Sequence, residues 1–226
     1  MRSYLFCYGD GVQDVGKRFK DGASDPVVRA VQRGAFSPSI TISFRDCLDG
    51  MSNTIFLSET VINVRPRNTA GAVARDVAGL AEAPARIHDV IDLTDRHRYR
   101  AEMTLWAVGK GSRWPEGAFV CNAMTTNVPP NSASATLPDD PYSGCISASS
   151  HHIGGIHVLM GDGSMRMVAD NIDVADQHAA SACSQNNNVG TPSPYGVWGA
   201  MGTRANRELM PAEGEAAFHS IYSEGE

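Results

Sequence analysis

The segment IHVLMGDGSMRMVA, residues 156–169, constrains the fold of this chain more than any other stretch, because two apolar-rich runs flank Asp162-Gly163. Asp-Gly between such runs is a strong local signal for a β-hairpin, since both central residues of a type I′ turn need positive φ. A two-residue turn at Asp162-Gly163 places Met160 opposite Met165 and fixes the register of the remaining pairs. The sequence therefore predicts a β-hairpin over these residues.

The predicted register also sorts the side chains of the hairpin between its two faces, because side chains alternate along a strand. One face receives six apolar residues, namely Ile156, Val158, Met160, Met165, Met167 and Ala169. The other face receives His157, Leu159, Arg166 and Val168 and is therefore only half polar.

The rest of the chain consists of short apolar runs separated by loops, with 22 glycines and 12 prolines spread throughout. This pattern predicts an α+β, β-rich fold, with a twisted antiparallel sheet, one or two short helices and long loops. We expect strands at 3–9, 40–44, 51–61, 98–108 and 118–124, and a short helix within 81–93 that has Pro84 near its start. Ser43 is expected to cap a single turn that ends at Gly50. In the strand at 51–61, Ile55, Leu57 and Val61 are predicted to share one face.

The formal net charge of −6 argues against general binding to nucleic acid phosphates. No window approaches the run of about 18–20 apolar residues that a membrane helix needs. The start of the chain also lacks the apolar core of a signal peptide. If Met1 is the true start, these features predict a cytoplasmic protein.

The five cysteines form no CxxC pair, which disfavours the common structural zinc sites. Cys121 and Cys145 bracket a loop rich in Pro, Asn and Ser, and a disulfide between them would stabilise the fold by about 3 kcal/mol. Five unpaired thiols are the alternative, and the sequence leaves both open.

Three histidines, His151, His152 and His157, lie at the start of the predicted hairpin and raise the question of a metal site. The strand from Ile156 to Gly161 spans about 17–20 Å, so His152 and Asp162 should lie near opposite ends of the hairpin. They cannot share an ion unless the chain doubles back at Gly154-Gly155.

A site at the base of the hairpin, with His151 or His152 and Asp170 or Asp173, is geometrically allowed. In the favoured interpretation, His152 forms a hydrogen bond with nearby backbone. This bond fixes Gly154 and Gly155 at the point where the chain enters the strand. We therefore expect no metal and no cofactor.

The sequence contains no GxSxG, HExxH or Walker A motif, and no glycine-rich dinucleotide fingerprint in a strand-turn-helix setting. Nothing marks an oxyanion hole next to Ser149 or Ser150. We therefore expect a protein that is not an enzyme. A metal-dependent enzyme using the His151/His152/His157 region is the less favoured alternative.

The spacing from His152 to Asp162-Gly163 resembles the H-x9-DG signature of a bacterial prepilin-like family of unknown function. Other segments resemble this family in the same order, and they are FRDCLDGMSNTIFLSE, GSRWPEGAF with NVPPNSAS, and SPYGVWGAMGTRANRE. The resemblance covers the chain to about residue 210.

The resemblance implies a single prepilin-like globular domain at 1–210, with the signature hairpin within 149–173 and an acidic C-terminal tail at 211–226. The residues of the structural signature are His152, Gly154, Gly155, Asp162 and Gly163.

In function, the resemblance implies a non-enzymatic pseudopilin-like protein, associated with the cell surface or with type II secretion, that acts by assembly or adhesion. Its partners would be further copies of itself or other pilin-like subunits, in the periplasm or outside the cell. An extracytoplasmic module that binds a sugar or a peptide is the alternative.

Members of such families carry an apolar N-terminal helix that anchors them in the membrane. This sequence shows no such helix, so either its start is truncated or it is a soluble divergent member. If the start is truncated, we expect a longer native protein that fractionates with the membrane or cell surface. N-terminal sequencing and intact mass of the protein from fractionated cells test this expectation. A cytosolic protein that begins at Met1 and carries reduced cysteines would contradict it.

Overall fold

A computed structural model describes residues 3–20, 26–62, 66–113, 117–181 and 191–206. Its seven strands are β1 (Tyr4–Cys7), β2 (Ile55–Glu59), β3 (Ala123–Met124), β4 (Ala135–Leu137), β5 (Asp140–Cys145), β6 (Gly155–Met160) and β7 (Met165–Ala169). Its α-helices are α1 (Pro26–Val31), α2 (Phe119–Asn122) and α3 (Gly196–Gly202), and short 3-10 helices lie at Phe44–Asp46 and Pro84–Val90.

Five strands form one open sheet in the order β3-β1-β2-β6-β7, and β4 pairs with β5 in a second, two-stranded sheet. All neighbours in the large sheet are antiparallel except β1 and β3, which run parallel. The predicted α+β, β-rich class with few short helices is therefore confirmed, with a mixed rather than a wholly antiparallel sheet.

The inner face of the large sheet packs against α2 and α3 to form the main apolar core. Leu5, Ile156 and Val158 are fully or almost fully buried on this face. Trp198 of α3 is fully buried in the same core, and its indole N–H donates to the Val128 carbonyl at 2.7 Å. A second apolar cluster lies under the long loops and β4–β5.

The predicted register of the β6–β7 hairpin is wrong by one residue. Leu159 pairs with Met165, and Ile156 pairs with Val168. The connection is a three-residue loop rather than a two-residue turn, because the Met160 N–H donates to the Ser164 carbonyl at 2.9 Å.

Tertiary contacts favour this longer loop. Gly163 has a positive φ of 86°, whereas Asp162 keeps a negative φ, as expected for a type I turn followed by a left-handed residue. The Gly161 and Asp162 amides donate to the carbonyls of Thr54 and Met51, which precede β2. The connection is therefore fixed partly by its neighbour in the sheet, which a local turn motif does not report.

A bulge in β2 reverses part of the predicted side-chain pattern. Ile55 pairs with Met160 and Leu57 pairs with Leu159, so Phe56 is an additional residue with no partner of its own. Ile55 is buried, whereas Phe56 and Leu57 are both half-buried. The prediction that Ile55 and Leu57 share a face is therefore wrong.

As a result, the large sheet has an outer face that is mainly apolar and only partly covered. We define this outer face by Tyr4, Phe6, Leu57, Glu59, His157, Leu159, Met165 and Met167. Phe6, Leu57, Leu159 and Met165 form one continuous row across four strands, through successive cross-strand pairs.

The other predicted elements are only partly present. Residues 40–44 and 98–108 form no strand, and the latter segment makes isolated bridges such as Ile91 with Tyr99. The turn after Ser43 and the positive φ at Gly50 are confirmed. The predicted helix within 81–93 is a 3-10 helix that begins at Pro84.

The Cys121–Cys145 disulfide, left open by the sequence, is not formed. The two residues lie in different apolar clusters, and both are buried thiols. Cys121 Sγ lies 3.9 Å from Ser112 Oγ, and burial raises the pKa of the Cys145 thiol. The loop between them is fixed by packing and hydrogen bonds instead.

Buried cations attach the irregular segments to one another. The Arg33 guanidinium forms a bidentate ion pair with Asp10, and both side chains are almost fully buried. The Arg204 guanidinium donates to the carbonyls of Gln32 and Gly34. The long loops therefore have defined positions despite their lack of regular secondary structure.

No helix among the described residues is long and apolar enough to cross a membrane. The predicted domain boundary near residue 210 and the acidic tail at 211–226 lie outside the described residues.

The two adjacent glycines before β6 provide a test of this packing. A Cβ at Gly155 would lie 2.3 Å from the Val168 carbonyl oxygen, whereas a Cβ at Gly154, whose φ is 80°, would meet nothing within 4 Å. We expect Gly155→Ala to lower the free energy of unfolding by about 3 kcal/mol through overpacking. Gly154→Ala should lower it by about 1 kcal/mol, through backbone strain alone.

Urea denaturation of both variants measures this difference. Equal losses in the two variants would contradict the close approach of Gly155 to β7.

Candidate functional site

A cleft of about 520 Å³ opens beside the end of β2. It is lined by Ser3, Tyr4, Glu59, Thr60, Val61, Ile62, Ser149, Ser150, His151 and His152. The Thr60 N–H donates to the Ser3 carbonyl, and the Ser149 N–H donates to the Glu59 carbonyl. These bonds hold the segment before β6 next to the end of β2, and the cleft lies between them and the start of β1. It therefore combines hydroxyl groups, imidazoles and one carboxylate.

Glu59, the last residue of β2, holds the polar end of the outer face together. Its side chain is 17% exposed, and Oε2 accepts the His157 backbone N–H at 2.9 Å. This bond continues the β2–β6 pairing with a carboxylate in place of a backbone carbonyl. The position of the carboxylate is therefore set by the sheet.

Two histidine rings converge on this carboxylate. His152 Nε2 lies 3.4 Å from Glu59 Oε1, and His157 Nδ1 lies 3.4 Å from Glu59 Oε2. The ring centroids are 4.7 Å apart, with an interplanar angle of 85°. One ligand atom from each of the three residues lies within 4.8 Å of the other two.

The environment of Glu59 favours its ionised form. Burial alone would raise its pKa, but the His157 backbone N–H, the Ser150 hydroxyl and the two neighbouring histidines outweigh burial and hold the pKa below its ordinary value. Near neutral pH, Glu59 is therefore a carboxylate.

The structure separates the predicted signature residues into two groups. His152, Gly154 and Gly155 lie at the base of the hairpin, and His152 directs its ring towards Glu59 rather than towards nearby backbone. Asp162 and Gly163 form the loop at the other end, as predicted from the length of the strand.

Asp162 has a structural role in the loop. Asp162 Oδ1 accepts the N–H and the hydroxyl of Ser164 at 2.9 and 2.7 Å, and these bonds lower the pKa of its carboxyl group.

The metal site considered at the base of the hairpin does not form with the aspartates. Asp170 accepts a hydrogen bond from the Asn131 amide at 2.6 Å, and Asp173 accepts the backbone N–H groups of Ala175 and Val197. His151 lines the cleft but does not belong to the cluster around Glu59.

Glu59 belongs to a segment that carries the family resemblance, but the sequence did not connect it with the histidines, which are distant in the chain. The available signal was a single acidic residue at the end of the apolar run IFLSE. Glu59 comes close to the histidines only because β2 pairs with β6. The sequence did not predict which strand lies beside the hairpin.

A fully buried lysine lies behind the wall of the cleft. Lys110 Nζ donates to the Ser147 carbonyl at 2.8 Å and to Ser149 Oγ at 3.1 Å. Desolvation lowers the pKa of Lys110 to about 7. Ser149 Oγ in turn donates to the Ala70 carbonyl at 2.7 Å, so its proton is not directed towards the lysine as a serine–lysine nucleophile would require.

A family model described as "Protein of unknown function (DUF1559)", with the short name SBP_bac_10, matches residues 11–175, which is well over half of the chain. The chain belongs to the DUF1559 family. The match includes Glu59, His152, His157 and the loop at Asp162. The comparison with curated proteins found no match, and the comparison with solved structures found none either.

The buried lysine predicts a pH dependence of stability for this DUF1559 protein. Folded Lys110 loses its proton near pH 7, whereas the unfolded chain keeps it up to about pH 10.5. The unfolded state then binds more protons, so the free energy of unfolding should rise with pH above 7 and fall as pH decreases towards 7. The steepest slope should be about 1 kcal/mol per pH unit.

Urea denaturation between pH 6 and about pH 8, below the range in which exposed thiols ionise, measures this slope. Lys110→Met should remove the rise, and Lys17→Met, at an exposed lysine, should keep it. An unchanged slope in Lys110→Met would exclude Lys110 as the cause.

Proposed function

We propose that this DUF1559 protein is a non-enzymatic, pilin-like structural subunit that acts by assembly at the cell surface or in the periplasm. The observation that carries this proposal is the outer face of the large sheet. On that face, apolar side chains remain partly exposed in a continuous row across four strands.

The outer face has the character of a packing surface. Met165 is 61% exposed and Tyr4 is 44% exposed, while Phe6, Leu57 and Leu159 are half-buried between them. Contiguous exposed apolar surface of this kind marks interaction sites in soluble domains, because its burial is favourable by about 25 cal/mol per Å².

An apolar groove extends this surface beyond β2. It has a volume of about 250 Å³ and is lined by Ala35, Phe36, Ser37, Ile40, Ile42, Ser43, Phe44 and Phe56. Phe36 packs against both Phe6 and Phe56, with ring centroids 4.8 and 5.6 Å apart, so the groove and the outer face are continuous. Phe44, which is 73% exposed, lies at its rim.

The resemblance to prepilin-like proteins supports the same proposal. The H-x9-DG spacing falls on the β6–β7 hairpin, which provides two of the strands of the outer face. In this proposal, the partners that cover the face are further copies of this chain or other pilin-like subunits.

Binding of a small solute is the second candidate, and the cleft favours it. The volume of about 520 Å³ would accommodate a sugar or a short peptide, and hydroxyl and imidazole groups line it. Among the described residues that line the cleft, Tyr4 is the one Phe, Tyr or Trp, so these residues offer little of the stacking surface on which sugar-binding sites rely. Saturable calorimetric binding of a sugar or peptide, abolished by Tyr4→Ala, would favour this function over assembly.

A charge placed on the outer face tests assembly. We expect the native protein to sediment in a high-mass assembly from extracts of its own cells, and Met165→Lys to shift it to the monomer fraction. A lysine at this position would have to be desolvated in the interface. Leu93→Lys, at a residue that is 87% exposed outside the outer face, should sediment like the native protein.

Thermal denaturation of the purified variants shows whether each one is folded. A native protein that sediments only as a monomer would contradict the proposal, and so would a folded Met165→Lys variant that remains fully assembled.

A further inference from the structure

We propose that Glu59, His152 and His157 form a binding site for a divalent transition metal ion, with Zn²⁺ as the ion that the ligand set fits best. This site is separate from the assembly function, because it requires only residues within one chain.

The distances within the cluster match a zinc coordination sphere. Zinc bound at 2.0–2.1 Å by tetrahedral ligands places neighbouring ligand atoms about 3.3 Å apart. Both nitrogen–oxygen distances in the cluster are 3.4 Å, from His152 Nε2 to Oε1 and from His157 Nδ1 to Oε2 of Glu59. The two nitrogens lie beside different oxygens of Glu59, and the three ligand atoms lie within 4.8 Å of one another, so the side chains must move closer together to share one ion.

The ligand types select the class of metal. Two neutral imidazoles and one carboxylate suit zinc and its neighbours among the first-row transition metals. Calcium and magnesium prefer complete sets of oxygen ligands, which this cluster does not provide. The site should therefore discriminate strongly against Ca²⁺ and Mg²⁺.

The protein holds these ligands in place before a metal binds. The His157 backbone N–H and the Ser150 hydroxyl both donate to the Glu59 carboxylate, as second-sphere groups do in metal sites. His157 belongs to β6, and Glu59 ends β2, so two paired strands fix two of the three ligands. His152 lies in the turn before Gly154 and is 56% exposed, which leaves its ring room to adjust.

Two of the three ligands border the cleft. Glu59 and His152 both line the cleft, so water or an oxygen atom of a bound molecule can complete the coordination sphere. Three protein ligands with one open position are typical of zinc sites that exchange ligands, whereas purely structural zinc sites usually have four protein ligands.

Calorimetric titration of the untagged, metal-stripped protein with Zn²⁺ tests the proposal. We expect one ion per chain at saturation, and a weakening of about 100-fold or more in His152→Ala and in His157→Ala. Loss of a direct ligand should cost at least as much as the 10–100-fold typical of second-sphere partners. Glu59→Gln should also weaken binding, because it replaces the carboxylate with a neutral amide.

His151→Ala is the matched control, because His151 lines the same cleft but lies outside the cluster. Its affinity for Zn²⁺ should stay within about twofold of the native value. Co²⁺ provides an independent readout, since its visible absorption should report nitrogen ligands in the native protein and change in His157→Ala. Circular dichroism shows that each variant is folded.

Three results would overturn the proposal. They are the absence of stoichiometric Zn²⁺ binding, native affinity in a folded His152→Ala or His157→Ala variant, and an equal loss of affinity in His151→Ala. Each of these results leaves the sedimentation test of assembly unaffected, so the two proposals can fail separately.

Discussion

The antiparallel pairing of β2 with β6 organises both faces of the large sheet. It buries Ile156 and Val158 against the core and carries the bulge at Phe56 and Leu57. The bulge matters because it turns two consecutive large side chains towards the same face. Without it, the sheet would bury Leu57 and lose part of the apolar row that defines its outer face.

The same pairing creates the polar end of the outer face. Glu59 ends β2 at the point where β6 needs an acceptor for the His157 amide, so a carboxylate takes the place of a backbone carbonyl. The carboxylate then lies within 3.4 Å of two imidazoles. A bond that completes the sheet therefore also helps to bring together three side chains from two distant parts of the sequence.

The row proposed for apolar packing and the proposed metal site are neighbouring parts of the same face of the large sheet. The row from Phe6 to Met165 offers apolar contact, while Glu59 and the histidines offer directional, charged contact at the edge of the cleft. Membership of the DUF1559 family is compatible with either role, since the description of that family assigns no function.

Local sequence patterns were enough to predict the β-rich class, the existence of the hairpin and the opposite placement of His152 and Asp162, because strand periodicity and strand length are local properties. Tertiary structure decided the register, through the Thr54 and Met51 carbonyls that bind the loop amides. It also decided the role of Glu59, because the identity of a neighbouring strand depends on long-range packing. A local sequence pattern does not indicate which distant strand will supply a hydrogen-bond partner.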